Sequence, residues 1–348
     1  MKSFTRVLYQ IVGACAIRAD QFRLLQLTLT MLPITQNNTI VSDMRKQTII
    51  AAMLLLMGIF GLALGCKKTE APLEEETAKQ NKLIVAVSIL PQKSFVKAIA
   101  GDLADIVVMV PPGQSPGTYE PTTKQLQQLS ESAVFFTIGV PFEERFVPLL
   151  QQNLPELYIV PTDARTQKRR FLTSSAEGEI GAVDPHIWMS PISVIDQASI
   201  IAEELKKLDP DNSAVYEKNL FDFTQEMREL DSTLTRMLEP LRGETLLVYH
   251  PTFGYFADRY GLVQKAVEAG GKEPTPKQLE KLIETAKKEK VALIFVQPQF
   301  SDKSSKAIAD AIGARVVTIN SLDENYLENL LHIAETLGLL KPEEISEP

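Results

Sequence analysis

The chain has 348 residues, 45% of them hydrophobic and 23% charged, with a net charge of −8 and an isoelectric point near 5.2. It is long enough for two domains, and its composition excludes disorder over most of its length. The acidic balance excludes nucleic acid as a partner, because phosphate binding needs a basic face, and is compatible with a surface that attracts cations.

The charge is unevenly spread. The first 65 residues carry six Lys or Arg against two Asp or Glu, which leaves the remainder at −12. Met44-Arg45-Lys46 opens a basic stretch, Thr48 to Leu64 is apolar, and Ala63-Leu64-Gly65-Cys66 closes the run. A basic start, an apolar segment of roughly 15 residues and small residues before a cut describe an export signal. A membrane span would need about 20 apolar residues. A small residue before Cys at the end of such a run resembles the bacterial lipobox, although Ala63 stands where Leu is usual. Residues 44–66 therefore read as a lipoprotein signal peptide with Cys66 as the lipidated residue. An uncleaved anchor is the alternative, and it too leaves the body outside the cytoplasm. Signals act from a true N-terminus, so residues 1–43 read as a misassigned upstream extension. The only other cysteine is Cys15. The exported chain is thus expected to have no internal disulfide and no thiolate metal site, which leaves metal chemistry to His, Asp, Glu and neutral oxygens. The charged stretch 67–81 reads as a tether.

From Lys82 short apolar runs alternate with helical patterns. Strands are expected at 83–87, 105–110, 133–138 and 157–160, with helices at 91–100, about 122–130 and 142–152 between them. The Pro- and Gly-dense stretch 111–117 is a loop, and 163–183, rich in Arg, Lys, Ser and Gly, reads as a surface loop. A helix follows at 191–208. Residues 212–240 hold no Gly and no Pro before Pro240, with apolar residues near helical spacing from Val215 to Met237. That predicts one helix of about 28 residues, roughly 40 Å long, able to bridge two lobes. The alternation then resumes, with strands at 245–249, 263–267, 291–296 and 316–319 and helices at 252–260, 277–288, 303–312 and about 324–339. The expected fold class is α/β, with two βα lobes joined by a long rigid helix. The expected divisions are an N-terminal lobe over 82–210, a linking helix over 211–241 and a C-terminal lobe over 242–348. No internal repeat stands out along the sequence.

The three histidines are His186, His250 and His332. His186 lies in Asp-Pro-His and His250 in Tyr-His-Pro directly after a strand, positions suited to the crevice beyond the carboxyl ends of the strands. Imidazole suits zinc and other transition metals. His332 reads as a partly exposed helix residue. No Walker loop, Gly-x-Ser-x-Gly or Gly-x-Gly-x-x-Gly motif follows a strand, so the sequence carries no sign of an enzyme.

Several patches together carry a resemblance. They are Tyr119-Glu120-Pro121-Thr122, Phe136 to Glu143 with Gly139, Asp184-Pro185-His186-Ile187-Trp188, and Tyr249-His250-Pro251 with Tyr255-Phe256-Ala257 and Tyr260-Gly261-Leu262. Glu273-Pro274-Thr275-Pro276 and Phe295 to Ser301 extend it. In this order they resemble the zinc and manganese solute-binding proteins of bacterial ABC importers, the cluster that includes zinc-uptake proteins and adhesin lipoproteins, over about residues 82–340. The resemblance implies a metal site in an interlobe cleft, with His186 and His250 as ligands. It implies delivery to an ABC permease in the cytoplasmic membrane by a monomer at the periplasm or cell surface. His250 in place of Glu favours Zn2+ over Mn2+. Two ligand positions depart from the family. Gly117 stands where it has His, and Asn320 follows the strand where it has Asp; Gln297 also replaces a Glu common there. Additional ligands or supporting groups are sought among Glu120, Asn320, Asp184, Gln297 and Asp323, with Asp184 expected to orient His186. A degenerate member with a non-metal ligand, or with an adhesive or partner role, is the alternative.

Overall fold

The computed structural model describes residues 82–171, 181–268, 275–300 and 303–341. The expected upstream extension, signal peptide, Cys66 and tether lie outside the described residues, as do Glu273 and Pro274.

The first lobe holds β1 (Leu83–Val87), α1 (Leu90–Ala100), β2 (Ala104–Val108), α2 (Thr123–Ser130), β3 (Val134–Thr137), α3 (Pro141–Asn153) and β4 (Ile159–Pro161). After α4 (Pro191–Leu208) comes the long helix α5 (Ser213–Leu238), followed by β5 (Thr245–Val248), α6 (Gly254–Tyr260), β6 (Val263–Ala266) and α7 (Pro276–Lys288). The chain closes with β7 (Leu293–Val296), α8 (Lys303–Ile312), β8 (Arg315–Thr318) and α9 (Tyr326–Leu337). These eight strands pair in parallel, in the orders β2-β1-β3-β4 and β6-β5-β7-β8. Parallel strands covered on both faces read as continuous apolar runs, and Val134–Thr137 and Leu293–Val296 are buried throughout.

The matching strand orders expose a repeat that inspection of the sequence missed. Glu120-Pro-Thr-Thr-Lys-Gln-Leu126 and Glu273-Pro-Thr-Pro-Lys-Gln-Leu279 differ at one position in seven. Each precedes or opens the helix between the second and third strands of its lobe. Thr122 and Thr275 accept the backbone N–H of Gln125 and Gln278, whose side chains accept the threonine N–H in return. This reciprocal cap satisfies donors a helix start otherwise leaves open.

Helix α5 has 26 residues, about 39 Å at 1.5 Å per residue. It buries Tyr216, Phe223, Met227, Leu230, Leu234 and Leu238 against α1, α4, α6 and α9, helices of both lobes. Asp231 on the same face accepts two bonds from Arg259, at 2.8 and 2.5 Å, and one from the Tyr260 hydroxyl at 3.1 Å, which pins α6 to the linking helix. The second lobe also reaches back to the first. Tyr326, at the start of α9, stacks edge-on against Phe95 at 5.0 Å and donates to the Trp188 carbonyl at 2.7 Å, while Trp188 Nε1 donates to the Ser321 carbonyl at 2.7 Å. One apolar core therefore runs through both lobes, and a smaller one lies on the second sheet.

Candidate metal centre

In open parallel sheets, ligand crevices form beyond the carboxyl ends of the strands where the strand order reverses. In the second sheet that point lies between β5 and β7. His250 follows β5, and Gln297 follows β7. Gln297 is buried; it accepts the His250 N–H at 3.1 Å and donates to the His250 carbonyl at 2.9 Å and to Thr252 Oγ1 at 3.0 Å. It fixes the backbone that carries the imidazole and does not line the cleft.

His186 arrives from the first lobe. Arg170 and Val183 form an antiparallel bridge, so the two ends of the stretch expected as a surface loop pair with each other just ahead of Asp184-Pro185-His186. Asp184 is fully buried; its Oδ1 accepts the His186 backbone N–H at 3.0 Å and lies 2.7 Å from Nδ1 of the ring. Burial works against the Asp184 carboxylate, yet the neighbouring His186 ring and its hydrogen bonds, with Arg169, hold its carboxyl below the ordinary range. Burial is also the main cause that pushes His186 below the usual histidine value, helped by His250 and Arg169 against the pull of Asp184. The ring is thus kept neutral, the form that binds metal.

The two rings meet. Their centroids are 5.3 Å apart and nearly perpendicular, at 79°. His250 Nδ1 lies 3.1 Å from Glu268 Oε2, so each ring has its Nδ1 held by a buried carboxylate. Nε2 of each is left without a protein partner among the described residues. Carboxylates behind metal-binding histidines fix tautomer and orientation in this way. Two imidazoles bound through Nε2 at about 2.05 Å to a tetrahedral zinc hold their ring centres roughly 5.2 Å apart. The observed centroid separation matches that spacing. Trp188 and Phe171 stand edge-on to His186, and Phe300 stacks on His250 at 4.8 Å.

The rings border a cavity of about 680 Å³ between the lobes, lined also by Gly117, Thr118, Lys168, Gln299 and Ser321. Among the described residues no third His, Cys, Asp or Glu completes a metal cluster. The other candidates stand elsewhere. Glu120 is exposed, just ahead of the Thr122 cap, and does not line the cavity. Asn320 Oδ1 accepts from Gln299 Nε2 and Leu322 N–H, and its Nδ2 donates to Asp323, so its carboxamide is spent on the β8–α9 turn and on the loop after β7. Asp323 accepts that bond and the Asn325 N–H. Glu268 and Arg169 were not singled out from the sequence. Glu268 had one signal, an acid directly beyond an apolar-ended strand; Arg169 had none.

The family model described as ZnuA, zinc-uptake complex component A, periplasmic, matches residues 85–338. The chain belongs to this family. The zinc-uptake family consists of solute-binding transport components found outside the cytoplasm, and its members are not enzymes. The high-affinity zinc uptake protein ZnuA of Bacillus subtilis is 28% identical over 79% of this chain and 87% of its own. The zinc-binding lipoprotein AdcA of Streptococcus pneumoniae is 27% identical over 70% of this chain, a match spanning about half of AdcA (50%). A crystal structure of ZnuA superposes with a TM-score of 0.70 at 37% identity, covering 75% of this chain and 99% of that one.

Proposed function

We propose that this protein captures a divalent transition metal, zinc in preference to manganese, between His186 and His250 and delivers it to an ABC permease. The observation that carries the reading is the 5.3 Å separation of two imidazoles whose Nδ1 atoms are both held by buried carboxylates. Imidazole nitrogen favours zinc, whereas manganese favours oxygen-rich sites. The names of the B. subtilis and pneumococcal relatives point to the same metal. With Gly117 and Asn320 at positions where the resemblance leads one to expect donors, water or cavity oxygens complete the shell. Affinity should then fall below that of a site with three or four protein ligands. One ring comes from each lobe, so separating the lobes removes a ligand and frees the ion. Export as a monomer, with a lipid on Cys66, would keep the carrier beside its permease.

Calorimetric titration of zinc into the purified protein tests this. One ion per chain, with a matching rise in melting temperature, supports it; no heat and no thermal shift overturn it. The cavity of about 680 Å³ favours one second reading, a small organic ligand in place of the metal. Mass spectrometry finding such a molecule bound to protein that ignores zinc would favour it.

A further inference from the structure

We propose that Arg169 is a clasp that makes the orientation of His186 depend on contact between the lobes. The proposal rests on the reading of His186 as a metal ligand. Arg169 presents two edges of its guanidinium to two carboxylates. Nη1 donates to Asp184 Oδ2 at 2.6 Å, and Nε donates to Asp258 Oδ2 at 2.8 Å. Asp184 stands two residues before His186, and its other oxygen holds the imidazole and the backbone N–H of that residue. Asp258 lies on α6 of the second lobe. A parallel link reinforces the first, since the Arg169 backbone N–H donates to the Tyr255 hydroxyl at 3.0 Å and that hydroxyl donates to the Asp184 carbonyl at 2.9 Å.

The clasp is built into the fold. The Arg169 side chain is only 14% exposed and Asp184 is fully buried. The pair rests on the bare backbone of Gly254, the first residue of α6. A Cβ there would lie 1.7 Å from Arg169 Nη1 and 2.5 Å from Asp184 Oδ2. The ring, Asp184, Arg169 and α6 thus form one series of contacts. Moving the second lobe away pulls Arg169 from Asp184 or from Asp258, and either loss loosens what fixes His186. A metal held by both histidines keeps the lobes together and the clasp closed. By linkage, a closed clasp tightens the metal to the same degree. Lysine cannot span both carboxylates, because it lacks the planar fork.

The test compares Arg169→Lys, Asp258→Asn and their combination with the parent protein. It measures the zinc dissociation constant, the rate of zinc loss to a chelator, and the interlobe distance of the metal-free protein by paired spin labels. Arg169→Lys is expected to weaken zinc at least tenfold and to speed its loss. Asp258→Asn should weaken it three- to tenfold, and the double variant should be no worse than Arg169→Lys, since both cut one series of contacts. Both single variants should lengthen or broaden the interlobe distance. A merely structural arginine would lower the melting temperature and leave the two effects multiplying. Parent-like zinc release in either variant, or multiplying effects, overturns the clasp. Should Arg169→Lys fail to fold, Asp258→Asn decides alone, because that side chain is 58% exposed. If the parent binds no zinc, the metal reading fails by itself. The distances then decide the clasp, and unchanged distances overturn it.

Discussion

Gly117→His offers a gain of function whose size can be worked out beforehand. Gly117 lines the cavity shared by the two histidines, and its φ lies outside the left-handed region. A Cβ there would meet only Ser115 Oγ, at 3.5 Å, an ordinary contact. The first carbon of the new side chain therefore meets no obstacle. The opposing term is the ordering of an exposed side chain, about 0.5–1.5 kcal/mol. Partners that merely orient a metal-bound histidine are worth about 10–100-fold in metal affinity, so a direct third imidazole should deliver at least the lower figure. The expected result is zinc bound ten- to a hundredfold more tightly, about 1.4–2.7 kcal/mol, read by competition with a fluorescent chelator. The gain should vanish when His186→Ala is added. A folded variant with unchanged zinc affinity would refute the reasoning, because residue 117 would then not face the ion.

Asp184→Asn should weaken zinc about 10–100-fold by loosening the His186 ring. It should also cost about 3 kcal/mol of stability by leaving the Arg169 charge without its buried partner; calorimetry and chemical denaturation check the two effects. Burial pushes Glu143 up to about 7 from its ordinary 4.5, with Asp163 adding to the rise and Ser88 and the Ile138 and Gly139 N–H groups opposing it. The folded state then holds a proton that the unfolded chain has released. This contribution to stability is complete below about 4.5 and is lost as pH rises towards 7. Melting temperatures of the parent and Glu143→Gln between pH 4 and 8 should therefore converge at the acid end and part above it, the parent falling. Asp231→Ala should cost about 2 kcal/mol, the loss of charged hydrogen bonds to Arg259 and Tyr260. Its zinc affinity should be unchanged, since the residue lies away from the cavity.

The alternation of strands and helices was legible because each strand is an apolar run and each helix carries its own punctuation. Helix α4 begins at Pro191 and ends before Asp209, and α5 ends at Leu238, two residues short of Pro240, so their extents could be read almost to the residue. The two lobes were legible for the same reason. The repeat of Glu-Pro-Thr-x-Lys-Gln-Leu was in plain view and gained meaning only once both copies were seen to cap equivalent helices. His186 and His250 could be named because imidazoles at strand ends are scarce in this chain. Their supporting carboxylates divide. Asp184 is two residues from its ring, and local spacing found it. Glu268 is 18 residues from His250 and reaches it only because β5 and β6 are neighbours. Arg169 depends on a contact 89 residues away, with Asp258, and no local pattern encodes that. Glu120 lies within a family motif, yet its position before the Thr122 cap leaves it in solvent.

Diffraction from zinc-loaded crystals at the zinc absorption edge would locate the ion itself. A carrier of the kind described gives a single anomalous peak about 2.0–2.1 Å from Nε2 of both His186 and His250. A saturated protein whose only peak touches neither ring would contradict it.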